Sequence, residues 1–225
     1  MAERIVAMQQ QKMVMEGALL STIASAGYLL GFDTVEQCMK DEGMRAFLGH
    51  ALLHEIMPLI PLQKADVDQL AMEICGEMEK PAIAQPLLTI MQNGVRAWEK
   101  QALPLLEKFE SREGILPACL CMGLSVLIMY FSGAKKNAQG AFEGLRAGEA
   151  YIAEEDEDVL LAFSRLSPDM PPETLSYAVL SDRDIWEKDL REIDGLTDLI
   201  TDQIRDLQLL GLRAAMEKCC RKDDI

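Results

Sequence analysis

The sequence is poor in aromatic residues, in basic residues and in histidine, and each shortage excludes a class of protein. Phe, Trp and Tyr make up 5% of the 225 residues, and runs of β-branched residues are scarce, so a strand-rich sandwich or barrel has little to build with. Only 22 Lys and Arg stand against 37 Asp and Glu. The resulting formal charge of −15 repels phosphate backbones and anionic lipid and speaks against nucleic-acid binding. No GxGxxG follows a strand, and GxxxxGK[ST] and GxSxG do not occur, so the chain carries no nucleotide fingerprint and no nucleophile elbow. The start, MAERIVAMQQQK, lacks the apolar stretch of a signal peptide, which makes a cytoplasmic protein with reduced thiols the expectation. Among the six cysteines there is no CxxC. Cys119-Leu-Cys121 and the vicinal Cys219-Cys220 lack a zinc spacing, so ordinary buried or surface thiols and no metal are expected.

What is abundant is Met, Leu and Ala. With 49% apolar and 26% charged residues the chain reads as globular and all-α, and without a long linker it reads as a single helical domain over 1–225. A first helix is expected from Glu3 to Leu30, stopped by Gly31, with Asp33 in Asp33-Thr-Val-Glu36 capping the next. Apolar spacing predicts helices over Met44–Met57, ended by Pro58 and Pro61, and over Asp66–Glu79, with Val67, Leu70, Ala71 and Ile74 on one face. Pro81 and Pro86 bound a short segment, and Leu87–Phe109 reads as helix with a kink at Pro104. The run Ile115–Phe131 is the most hydrophobic. It is short for a membrane span and interrupted by Pro and Gly, so a helix buried on all sides is expected instead.

Gly140, Gly144 and Gly148 introduce the one change of texture: a small hairpin near 141–153, turning at Ala147-Gly148, with Ala150–Ala153 as a strand. The acidic run Glu154–Asp158 reads as a solvated helix start, followed by helices at Val159–Leu166 and Pro172–Leu180, a turn around Asp184–Lys188, and a last helix over Leu196–Cys219 that Asp194 could cap. His50 and His54, followed by Glu55, are four apart, a spacing that can hold one metal ion; without a third histidine or an HExxH order, an exposed pair is the simpler reading.

Four blocks carry a resemblance: GYLLGFDTVEQ, FLGHALLHEIMPLIPL, KPAIAQPLLTIMQNG running on to ALPLL, and DIWEKDLREIDGLTDLI. In this order, over nearly the whole chain, they are similar to the C-terminal half of the tagaturonate (altronate) reductases, a branch of the mannitol dehydrogenase family of polyol-specific long-chain dehydrogenases. The resemblance implies a mostly helical domain similar to the C-terminal domain of 6-phosphogluconate dehydrogenase, which in the full enzymes packs on a Rossmann domain that binds NAD(H). It also implies a metal-free oxidoreductase on sugar acids or polyols, with a K-x4-N-x2-H pattern in which lysine is the acid/base and Asn and His position substrate oxygens. Aligned by GYLLGFDTV, Lys12 takes the lysine position, but Gly17 stands at the asparagine and Leu20 at the histidine.

Neither replacement can donate a side-chain hydrogen bond to a developing alkoxide. The family's R-F-x-N-P reads Glu77-Met-Glu-Lys80-Pro81, and N-S-x-x-K keeps Asn93 but puts Ala97 at the lysine and Gln101 at a following arginine. A stand-alone, catalytically degenerate relative that binds a partner is therefore the leading expectation. It would bind no cofactor alone, and NAD(H) only if a Rossmann domain is supplied. The surface that would face such a domain calls for cover by a homo-oligomer or a separate Rossmann-domain protein. The alternatives are one part of a split oxidoreductase, and a module that uses Lys12 and Asn93 to hold an anionic sugar acid.

Overall fold

A computed structural model describes residues 2–80 and 84–221. The first helix, α1 (Ala2–Leu29), ends as its glycine demands. Gly31 takes φ 100°, its N–H reaches Tyr28 O at 3.0 Å, and the Phe32 N–H reaches back to Gly27 O at 3.0 Å. These two bonds close the terminal carbonyls of the helix in a Schellman motif.

The cap of α2 (Val35–Lys40) is Thr34, not Asp33. Thr34 Oγ1 accepts the Gln37 N–H while Gln37 Oε1 accepts from Thr34 and Asp33, a capping box. Asp33 instead pairs with Arg146 from the far hairpin at 2.9 Å, a partner 113 residues away. Thr34→Ala should cost about 1 kcal/mol in urea denaturation, whereas Asp33→Ala, which removes only a surface ion pair, should cost about 0.5 kcal/mol or less.

Asp41 caps α3 (Glu42–His50), accepting the Met44 N–H at 2.9 Å. The helix expected to reach Met57 changes pitch on the way: Ala51–Ile56 form a π turn and Met57–Leu59 a 3-10 turn, with Pro58 inside it. The next helix, α4 (Lys64–Glu79), buries Val67, Leu70, Ala71 and Ile74 as the spacing requires. Pro81 lies outside the described residues. The single helix read over Leu87–Phe109 is three: α5 (Leu87–Ile90), α6 (Gly94–Gln101) and α7 (Leu103–Glu113). The first break is Asn93, a non-glycine residue at φ 56°, and the second falls at Ala102, where Pro104 enters the first turn of α7.

Helix α8 (Ala118–Phe131) is buried all round, with Met129 alone partly exposed. It crosses α1 at Gly123, whose missing side chain lets α1 approach: a Cβ there would lie 2.6 Å from Thr22 Cγ2 and 2.9 Å from Thr22 Cα. Among the described residues no helix is long and apolar enough to cross a membrane.

The hairpin pairs β2 (Phe142–Arg146) with β3 (Glu149–Ala153) through Ala147 and Gly148, both at positive φ, and β1 (Lys135–Lys136) adds a third antiparallel strand. It is fastened by Tyr151, stacked on Tyr130 at 4.7 Å and donating to Tyr130 O at 2.6 Å, and by Arg146, 4.1 Å above the Tyr28 ring.

The remaining elements are α9 (Glu157–Ser164), α10 (Pro172–Ser181), a 3-10 turn Leu190–Glu192, α11 (Leu196–Leu210) and α12 (Leu212–Arg221). The expected last helix is thus two, divided at Gly211 (φ 79°), and Gly195 rather than Asp194 occupies the N-cap of α11. In the turn around Asp184–Lys188, Trp186 is buried edge-on to Trp98 at 5.9 Å and donates to Val179 O at 2.8 Å. One hydrophobic cluster runs from Met15 to Cys219.

Candidate functional site

Lys12 lies on the first half of α1, and its ammonium is not free. Nζ donates to Glu77 Oε1 of α4 at 2.6 Å, and the lysine side chain is 23% exposed. This bond, with further attraction from Glu77, Glu73 and Glu16, raises the lysine pKa above its ordinary value against the opposing effect of burial. A lysine that must give and take a proton near neutral pH needs the opposite shift. The family pattern marks Glu77 as an acid at an arginine position. That it reaches across to Lys12, 65 residues away, is visible only in the fold.

One and a half turns further on, Gly17 faces Gln101. A Cβ on Gly17 would lie 2.0 Å from Gln101 Oε1, so the carboxamide fills the space next to the glycine. Leu20 is partly buried and packs on the core. The structure thus shows two separate contacts made by α1, Lys12 with Glu77 and Gly17 with Gln101, and Gly17 itself has no side-chain hydrogen-bond donor.

Asn93 is elsewhere. Gly17 meets Gln101 while Gly27 meets Leu87, so α1 runs antiparallel to α5 and α6, and Asn93 is on the order of 15–20 Å from Lys12 along α1. Its N–H donates to Glu154 O at 3.0 Å, and it borders an open depression of about 510 Å³ with Phe142, Ile152, Glu154, Glu155 and Glu157. Glu155 is half-buried rather than fully solvated: its Oε2 accepts the Val95 N–H at the start of α6 at 2.7 Å, and burial raises its pKa. Three carboxylates around this depression repel an anionic sugar acid.

A second cluster carries no signal in the spacing of its residues. His50 and His54 do lie together, ring centroids 4.6 Å apart, but they are not equivalent: His54 is exposed and His50 half-buried. His50 shares its surroundings with Glu55 and Cys119, the three offering ligand atoms within 4.8 Å of one another. Cys119 Sγ is in turn 4.0 Å from both Cys219 Sγ and Cys220 Sγ. Thiol–thiol hydrogen bonds, burial and nearby Glu55 hold the Cys119 pKa well above the usual thiol range. Only the fold makes residues some 100 positions apart converge in this way.

Over residues 5–208 the sequence matches the family model described as the mannitol dehydrogenase C-terminal domain. The chain belongs to this family. Among curated relatives, the altronate oxidoreductase of Pectobacterium atrosepticum is 29% identical over 94% of the chain, and that of Escherichia coli O9:H4 is 26% identical over the same share. The chain spans about two fifths of their length, 43% in both cases.

Among solved structures, Pseudomonas fluorescens mannitol 2-dehydrogenase, in a ternary complex with NAD and D-mannitol, superposes with a TM-score of 0.76 at 14% identity. The match covers 96% of this chain and 41% of that one. A D-sorbitol dehydrogenase gives a TM-score of 0.71 at 12% identity, covering 92% and 40%. Both likenesses establish the fold expected from the sequence, mostly helical with a small antiparallel sheet.

Proposed function

We propose that this mannitol dehydrogenase C-terminal domain keeps the family fold without its chemistry and acts as a binding or oligomerisation module. The observation that carries this reading is the Lys12–Glu77 ion pair: the lysine at the family's acid/base position is held charged by an acid. Gly17 and Leu20 supply no donor beside it. The surface offered to a partner is the same half of α1, where Ile5, Val6 and Met13 are exposed, Met13 to 73%. A second copy of the chain or a Rossmann domain would cover it, and NAD(H) would be held only by the latter.

The second reading makes the chain part of an NAD-dependent sugar-acid or polyol oxidoreductase whose Rossmann domain is on another chain. The similarity to altronate oxidoreductase over 94% of this chain supports it. One assay separates the two: NADH oxidation with tagaturonate, using the chain mixed with a separately expressed altronate oxidoreductase Rossmann domain. No turnover is expected from the native sequence. The Gly17→Asn/Leu20→His/Glu77→Arg variant frees Lys12 and restores the two donors, and should gain measurable activity. Turnover by the native mixture would establish the split enzyme in place of the binding module.

A further inference from the structure

The convergence of His50, Glu55 and Cys119, with Cys220 next to Cys119, is a cluster that shares no residue with the Lys12–Glu77 pair. We propose that it binds a thiophilic d10 divalent cation, zinc above all, through Cys119 and Cys220 sulfur, His50 nitrogen and Glu55 oxygen. The donors come from four segments: the end of α3, the π turn, the start of α8 and the end of α12. Two sulfurs bound to one tetrahedral zinc at about 2.3 Å stand about 3.8 Å apart. The nitrogen, oxygen and sulfur of His50, Glu55 and Cys119 fall within 4.8 Å of one another, and Cys220 Sγ is 4.0 Å from Cys119 Sγ, so three donors are gathered and Cys220 has to turn toward them to supply the fourth. A mixed sulfur, nitrogen and carboxylate set suits zinc and excludes magnesium and calcium, which take oxygen alone.

Two features make the site more than an accident of packing. Glu55 is rigidly aimed: Oε1 accepts the Cys119 N–H at 2.6 Å and Oε2 the Leu120 N–H at 2.9 Å. A carboxylate oxygen has more than one acceptor direction, and here the backbone N–H groups fix the orientation of the group, as outer-shell donors do at metal sites. The depth of the sulfurs is also graded. Cys119 and Cys219 are buried and Cys220 is half-exposed, as is His50, which gives an ion an approach from solvent on the side of Cys220 and His50.

Cys219, also 4.0 Å from Cys119, is within 4.0 Å of Gln203 Nε2 and remains the flanking thiol. Competing chemistries fit less well. A disulfide requires the sulfurs to close by about 2 Å and an oxidant to take two electrons. A Cys119 nucleophile paired with His50 is ruled out by complete burial of the thiol and its raised pKa. The ion would fasten α12 to α8 and α3, and α12 lies beyond the residues matched by the family model.

Cobalt titration into the reduced, chelator-stripped full chain tests the site. One equivalent of Co2+ should bring up a sulfur-to-cobalt charge-transfer band and tetrahedral d–d bands, all abolished by one equivalent of Zn2+. Cys119→Ser and Cys220→Ser should each remove much of the charge-transfer intensity and weaken binding more than about tenfold, with Cys75→Ser unchanged. The half-exposed Cys220 supplies the same readout if the Cys119 variant does not fold. Absence of the charge-transfer band at stoichiometric Co2+, an unaltered spectrum in both serine variants, or a Cys119–Cys220 disulfide as the sole product of the cluster would overturn the proposal.

Discussion

Gly123→Val should destabilise the protein by about 3 kcal/mol or more, among the largest losses from any single substitution in the helical core. The added Cβ would sit 2.9 Å from Thr22 Cα and 3.0 Å from Thr22 O. These are backbone atoms of α1, which a rotamer change cannot move aside. Relief requires α1 and α8 to separate, and that opens voids along a helix, α8, that is buried nearly all round. Gly123→Ala meets the same atoms and should still lose about 1–2 kcal/mol, although alanine returns about 1 kcal/mol of helix propensity. Gly76, in the last turn of α4, provides the opposite sign: nothing lies within 4 Å of its Cβ position, so Gly76→Ala should gain about 0.5 kcal/mol. Urea denaturation of the three variants checks both signs. Equal effects at the two glycines would show that propensity, and not the α1–α8 crossing, decides.

Glu55→Ala is the second large expected loss, about 3–5 kcal/mol. The residue is 1% exposed, and both carboxylate oxygens are engaged by the first N–H groups of α8, which have no partners inside their helix. Alanine leaves those donors buried and unmatched and also removes a negative charge from the positive end of the helix dipole. Glu55→Gln keeps one acceptor and loses the charge, so it should fall between the two, at about 2 kcal/mol. Denaturation in the presence of a chelator isolates this contribution from any bound ion. A near-neutral alanine variant would mean that water replaces the carboxylate at the head of α8.

The helical framework is legible because its signals are local. The glycine stop of α1, the apolar face of α4, the high hydrophobicity of α8 and the Ala147-Gly148 turn are each local signals, and each is where the sequence places it. The features that escape depend on distant partners or on one unusual dihedral. Asp33 has the chemistry of a cap, but Arg146 claims it and Thr34 takes the role. Asn93 breaks a helix by entering the left-handed region, a break that the Asn93-Gly94 dipeptide signals and that the apolar spacing over Leu87–Phe109 hides.

The candidate site is legible only as what the resemblance implies, with Gly17, Leu20, Glu77 and Gln101 expected at polar positions of the family pattern. Their mutual arrangement is not. Glu77 on Lys12 and Gln101 against Gly17 are contacts across 65 and 84 residues. The thiol cluster escapes for the same reason, since a spacing rule tests neighbours and Cys119 meets its partners about 100 residues later.

The π turn at Ala51–Ile56 has a consequence for how this segment tolerates change. Its Met57 N–H bonds to Leu52 O, one residue further back than an α-helix allows, so the turn holds one residue more than its length of axis requires. Deleting one residue between His50 and Glu55 would let the turn close into ordinary α geometry and, because the bulge already stores the extra residue, would leave α3 and the 3-10 turn beyond it in nearly their present relation. His50 and Glu55 would become four apart, a spacing that keeps both on one helix face. The segment is therefore built to lose a residue more easily than to gain one.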